Sequence, residues 1–367
     1  MSYLDNAAIQ KPKPEVVDTV VNVLRNQWYN ASSIYDKGLE SKRIVENTRG
    51  LIAKEINCST DEIIFCGSGS EANSFAIDGW LKANERDSFI CSTIEHSSIL
   101  NNPNAIYSIR CDDNGFYRMD DIEKISDMLV SIQLANNEIG VIQNIKKCVE
   151  ILHRNNCIVH TDAVQAFGHI PINVKDLGVD MLTATSQKIG GICGAAFLYV
   201  KNGIKLQSII HGTQEGNLRG STYNVPAIAA FGKAIELIDY SKENEIRAKR
   251  NYLINKIWSN EDIKHEVYVN GVPTIDRERL ANNLNIQIEN VDAQMLLALL
   301  DLNGICVSAG SACHAGDKEV SHVLQAIGLS DKEARESIRI TLNENTTYEE
   351  IDKFVEILEM MLTQFVS

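Results

Sequence analysis

Six short segments of this chain carry side chains that could do chemistry together. In Cys66-Gly-Ser-Gly-Ser70-Glu-Ala72 an apolar run feeds a glycine-rich turn, and a helical pattern begins at once. Backbone N–H groups at a helix N-terminus bind phosphate, and Gly69 with the hydroxyl of Ser70 suits that use. The stretch also fits Gly-x-Gly-x-x-Ala, a dinucleotide pattern, and equally an unliganded tight turn. Asp162, in Thr161-Asp-Ala-Val-Gln165, follows another apolar run. A carboxylate there could hold a protonated ring nitrogen, or cap the next helix. Lys188 closes Ala184-Thr185-Ser186-Gln187-Lys188. An amine near an anion site could form a Schiff base, although a surface lysine is the ordinary occupant. Asn136-Asn137-Glu138 and Glu95-His96 follow two further apolar runs. They offer amides and an imidazole that could stack on a ring or move a proton; a polar turn and a structural histidine fit the same residues. Cys313 lies in the small-residue run Ser308-Ala-Gly-Ser-Ala-Cys-His-Ala-Gly316. A thiol there is expected to be exposed, with His314 beside it to help form the thiolate.

These groups act together only if the chain brings their segments to one edge. Candidate strands are 62–66, 88–92, 130–134, 157–161, 180–184 and 195–200, and helices are expected near 39–55, 71–84, 120–128 and 144–155. The alternation argues for an α/β domain with a largely parallel sheet, which would set the strand ends side by side. A long helical pattern runs from about 226 to 250 and then turns charged, a candidate boundary. Beyond it, strands at 280–286, 305–308 and 337–342 and helices near 292–302, 319–328 and 347–364 suit a smaller α+β lobe.

The bulk properties narrow the setting. The chain has 367 residues, ordinary apolar and charged fractions of 44% and 23%, and a net charge of −14. That charge argues against direct nucleic-acid binding. There is no stretch long and apolar enough for a membrane span and no signal-peptide pattern, so a cytoplasmic location is expected. Nine scattered cysteines, with no Cys-x-x-Cys, suggest neither a disulfide framework nor a metal site.

In order and spacing the segments resemble the cysteine desulfurases of the class V aminotransferase family over nearly the whole length. The resemblance is carried by YLDNAA at 3–8, NASS at 30–33, EIIF at 62–65, SEAN at 70–73 and IEH at 94–96. It continues through ANNEIG at 135–140, HTDAVQ at 160–165, Gln214-Glu215, Leu218-Arg219, NVP at 224–226, SAGSAC at 308–313 and SIR at 337–339. It implies a fold type I transferase dependent on pyridoxal 5'-phosphate (PLP). Such a fold has a large domain on a mainly parallel seven-stranded sheet, here 14–250, and a smaller α+β domain, here 1–13 with 251–367. Lys188 would carry PLP, and Asp162 would pair with its ring nitrogen. Gln165 would bond the phenolic oxygen, and His96 would stack on the ring and shuttle protons. Gly69, Ser70, Thr185 and Gln187 would hold the phosphate. Thr222 would reach the phosphate of a second subunit, which implies a homodimer. Asn137 and Arg339 would bind the carboxylate of L-cysteine. Cys313 would take the sulfur as a persulfide and pass it to an acceptor, an iron–sulfur scaffold protein or a tRNA-thiolating enzyme. The eight-residue step from Cys313 to Ser321 resembles the long-loop branch of the family.

Several positions depart from the family pattern. Gln187 stands where histidine is usual before the lysine, Tyr35 where histidine is common, and Asn343-Glu344-Asn345 replaces a glycine–arginine pair. They mark a divergent member. The rival readings are an aminotransferase or lyase of the same fold (selenocysteine lyase included), a nicotinamide dehydrogenase, and a catalytically weak scaffold homologue.

Overall fold

A computed structural model describes residues 1–261, 263–264, 266–273, 277–310 and 320–365. Its strands are β1 (Ser2–Tyr3), β2 (Ile63–Cys66), β3 (Phe89–Ser92), β4 (Ala105–Ile109), β5 (Leu129–Ser131), β6 (Ile158–Asp162), β7 (Met181–Thr185), β8 (Ala196–Val200), β9 (Val267–Val269), β10 (Asn283–Ile288), β11 (Ile305–Cys306) and β12 (Ser337–Thr341). A seven-stranded sheet has the order β2-β8-β7-β6-β5-β3-β4. β8 runs antiparallel to both its neighbours, and every other adjacent pair is parallel. β2, β5 and β7 are buried at every residue. That is the behaviour of apolar strands covered by helices on both faces. With β2, β3, β5, β6 and β7 pointing one way, their carboxyl ends share one edge, where open α/β sheets hold ligands.

The remaining strands form an antiparallel sheet, β12-β10-β9, and a parallel pair, β1-β11. A separate apolar cluster surrounds them, including Leu4, Leu253, Ile286, Leu296, Ile338 and Phe354. The helix His322–Ala326 instead packs Val323 and Leu324 into the cluster of the large sheet. After β1 the chain leaves this region through Asp5, which bridges to Thr341, and delivers Ala7 and Ala8 to the edge of the large sheet. No helix among the described residues is long and apolar enough to cross a membrane.

Some elements differ from the sequence expectation. β4 carries no expected strand, because it is an edge strand with Ile106 and Tyr107 exposed. The expected helix over 120–128 is only Met119–Ile122: beyond it Lys124 N and Ile125 N bond to the carbonyls three residues back, Asp121 and Ile122, and Asp127 takes a positive φ of 55°. The pattern at 226–250 is two helices, Val225–Glu236 and Glu243–Trp258, separated by a turn that Asp239 caps. The strand expected at 130–134 ends at Ser131, though Ile132 and Leu134 still donate backbone hydrogen bonds to His160 and Asp162.

The turn after β7 is packed to its limit. A Cβ on Gly191 would lie 1.9 Å from Ser186 Oγ and 3.0 Å from its carbonyl oxygen. Gly191→Ala is therefore expected to destabilise the fold by about 1–3 kcal/mol through overpacking. Ser186 Oγ is buried without a partner among the described residues, so Ser186→Ala should be nearly neutral and should rescue part of the loss in the double variant. Urea unfolding of the four proteins checks this; additivity of the two single effects would contradict it.

Candidate active site

β2 ends in the turn that starts the helix Gly69–Ala83. Ser68 caps it, its Oγ accepting from Glu71 N at 3.1 Å. The first-turn N–H groups have no intrahelical acceptor, and Gly69 and Ser70 line a cavity of about 280 Å³. A Cβ on Gly69 would come within 3.2 Å of Val164 Cγ2, so a larger residue would crowd the mouth of this turn. Thr185 and Gln187 face the same end. Thr185 Oγ1 donates to Gln187 Oε1 at 2.5 Å, so the amide oxygen is engaged and the amide nitrogen remains as a donor. Together these groups make a neutral to positive cup suited to an anion.

Asp162 ends β6 in the same cavity. Its Oδ2 accepts from Asn73 Nδ2 at 2.8 Å, and its Oδ1 accepts from Val164 N at 2.9 Å. Two donors hold the carboxylate in a fixed orientation. Asn73 lies on the second turn of the helix that makes the anion cup, so one helix orients both groups. Gln165 donates from Nε2 to the Ala7 carbonyl at 3.0 Å. His96 caps the short helix Ser97–Leu100, its Nδ1 accepting from Ser98 N at 3.1 Å. That bond leaves the proton of the neutral ring on Nε2.

Lys188 enters from the turn after β7, and its Nζ donates to the Ala7 and Ala8 carbonyls at 2.7 Å each. Arg339, on β12, is 1% exposed. Nη1 donates to the Asn137 carbonyl at 3.0 Å and Nη2 to Asp5 Oδ1 at 2.7 Å. Arg339 Nε is buried with no hydrogen-bond partner among the described residues. A buried donor left unsatisfied is costly, and a carboxylate entering the cavity would satisfy it. Asn136, by contrast, is spent on its own turn, accepting from Glu138 N and Ile139 N at 2.8 and 2.9 Å.

The cavity thus brings together Gly69, Ser70, His96, Asn137, Asp162, Gln165, Thr185, Gln187, Lys188 and Arg339. Thr222 is elsewhere, in a groove with Trp28, Tyr29 and Tyr35. Cys313 lies outside the described residues. Sequence reasoning gave no role to Asn73, Gln133 or the Ala7 and Ala8 carbonyls, all of which line or hold the site. An anion cup, a fixed carboxylate, an amine and an imidazole in one small cavity match the phosphate, ring nitrogen, aldehyde and ring face of PLP.

The class-V aminotransferase family matches residues 2–354. Cysteine desulfurase IscS of Clostridium botulinum (strain Hall) is 38% identical, covering 99% of this chain and 94% of its own length. Cysteine desulfurase IscS of Methanosarcina thermophila is 36% identical, covering 97% and 90%. Among solved structures, a NifS-like protein from Rickettsia africae superposes with a TM-score of 0.87 at 33% identity, covering 98% of this chain and 99% of that one. A structure titled SspA in complex with cysteine gives 0.81 at 27% identity, covering 95% and 100%.

Behind the cavity wall Glu95 is buried, 1% exposed. Its Oε1 accepts from Ser92 Oγ at 2.5 Å, Gln133 N at 2.9 Å and Tyr117 Oη at 3.2 Å. Burial, with the charge of Asp162 adding to it, lifts its pKa from 4.5 to about 8, so it is protonated at neutral pH. An acid with a higher pKa in the folded than in the unfolded chain binds its proton preferentially when folded. Its contribution is full below about 4.5, falls as pH rises towards about 8, and is level beyond. Glu95→Gln removes this dependence. Urea midpoints should therefore move in favour of the variant as pH rises from about 5 to 8. A difference that stays flat over that window would mean Glu95 is ionised in place.

Proposed function

The chain belongs to the cysteine desulfurase branch of the class-V aminotransferase family, and from that premise we propose that it takes sulfur from L-cysteine, releases L-alanine and carries the sulfur as a persulfide on Cys313. The observation that carries this reading is the convergence of Lys188, Asp162, His96 and the N-terminus of helix Gly69–Ala83 in one cavity that Arg339 also lines. PLP is the group these residues fit; when bound, it withdraws electrons from the substrate carbons and so weakens the carbon–sulfur bond.

The first-turn N–H groups at Gly69 and Ser70, with Thr185 and the amide nitrogen of Gln187, would hold the phosphate. Gln187 is a neutral donor, so it supplies less charge than a histidine there would. Asp162 would keep the ring nitrogen protonated, Gln165 would bond the phenolic oxygen, and His96 would stack on the ring. Arg339 would bind the substrate carboxylate through Nε, which has no partner among the described residues, with Asn137 alongside. Lys188 Nζ would take the proton from the α-carbon of cysteine. Sγ of Cys313, as thiolate, would form the new bond to the substrate sulfur as the carbon–sulfur bond breaks; the carbon keeps the electron pair, gains a proton and leaves as alanine.

Thr222 sits outside the cavity of its own chain, which supports its use in a second subunit. The exposed apolar residues near it support a homodimer as well, with Leu24 56%, Trp28 64% and Tyr35 55% exposed. The sulfur acceptor would be an iron–sulfur scaffold protein or a tRNA-thiolating enzyme.

Protein purified with PLP should be yellow and should release equal amounts of alanine and, with dithiothreitol, sulfide from L-cysteine. Cys313→Ala should keep the colour and lose sulfide release. Lys188→Ala should lose alanine formation by ~10²-fold or more. Full activity in Cys313→Ala would overturn the sulfur-transfer role and leave the cofactor role standing.

A further inference from the structure

We propose that the ion pair between Glu71 and Arg219 sets the phosphate affinity of the cup at Ser68–Ser70: Arg219 neutralises a carboxylate that would otherwise repel the incoming phosphate. Arg219 is thus a positioning residue for that anion. The proposal rests on the reading that the cavity takes PLP.

Glu71 follows Ser70 in the first turn of the helix Gly69–Ala83. Its side chain folds back over the turn, and Oε2 accepts from Gly67 N at 2.9 Å. A carboxylate at a helix N-terminus is favourable when the helix end is otherwise empty. Here the same helix end is where a phosphate is to sit, and two anions on one turn repel across short, partly buried distances. Arg219 answers that charge bidentately, Nε to Oε1 at 2.6 Å and Nη2 to Oε2 at 3.0 Å. Both side chains are mostly shielded from solvent, at 16% and 18% exposure, so water screens the pair only in part. The pair lies against the residue that leads into the cup: a Cβ on Gly67 would be 2.9 Å from Glu71 Oε2 and 3.4 Å from Arg219 Nη2.

Arg219 is 148 residues away in sequence, on the segment that also carries Thr222. That segment is pinned independently. Glu215 receives Arg49 Nη1 and Nη2 at 2.9 Å each and Phe65 N at 3.0 Å. Gly220 N donates to the Ile210 carbonyl at 2.7 Å. Arg219 can therefore be neutralised with its backbone anchors intact.

The test titrates full-length protein freed of PLP with PLP and, separately, with pyridoxal, which lacks the phosphate, and reads binding by visible absorption. Arg219→Gln should weaken PLP by about tenfold or more and leave pyridoxal within about twofold of wild type. Glu71→Gln keeps the shape of the contact and removes the acid, so PLP should bind as tightly as in wild type or tighter. The double variant should return PLP affinity to within about threefold of wild type. Equal weakening of PLP and pyridoxal in Arg219→Gln would make the pair a general structural clamp and overturn the proposal. So would weakened PLP binding in Glu71→Gln, a result that decides the matter even if Arg219→Gln does not fold. Wild-type protein that binds neither compound would instead overturn the cofactor reading on which the proposal stands.

Discussion

The site depends on one constraint: the strands that feed it run the same way. Each parallel strand ends at the same edge, so the turns after β2, β3, β5, β6 and β7 open side by side. β8, the reversed strand, lies between β2 and β7 and contributes no side chain to the cavity. A phosphate cup from one turn, an aspartate from another and a lysine from a third are then neighbours without any of them being near in sequence. A single slip of register would turn each of these end residues to the opposite face of the sheet. The wholly buried, apolar character of β2, β5 and β7 makes such a slip costly.

Bringing charges to a partly enclosed edge requires that each be held. Asp162 has Asn73 and a backbone N–H, Arg339 has Asp5, and Glu71 has Arg219. The groups left unmatched are the informative ones. Glu95 avoids the cost of a buried charge by staying protonated. Arg339 Nε has no hydrogen-bond partner among the described residues. The first is a structural wall behind Gln133, and on the proposed function the second is where a ligand carboxylate would bind; the position of each relative to the cavity separates them.

Much of this was legible in the sequence because a chemically distinct residue closing an apolar run marks a strand end. Asp162, Lys188 and His96 follow such runs, and all three line the cavity. Asn73 was not singled out for a role because it sits inside a helix, where an asparagine normally signals only weak propensity. The Ala7 and Ala8 carbonyls leave no trace in side-chain chemistry at all. β4 escaped notice because an exposed edge strand lacks the apolar run that marks its buried neighbours. The break between Glu236 and Glu243 was hidden because helical periodicity on both sides is in register for a single helix.

The stretch from Asp5 to Ala8 ties the two sheets to one chemistry. Thr341, at the end of β12, binds it through the Asn6 and Ala7 N–H groups at 3.3 and 2.9 Å. From there Asp5 holds Arg339, and the Ala7 and Ala8 carbonyls hold Lys188. The arginine that would bind the substrate carboxylate and the lysine that would act at its α-carbon therefore share one short backbone as their reference. A shift of the antiparallel sheet against the large one would move Arg339 directly and Lys188 through those carbonyls. The spacing of the two side chains is thus kept by a backbone that carries no chemistry of its own, which is why a four-residue strap outside both cores belongs to the site as much as the residues that line it.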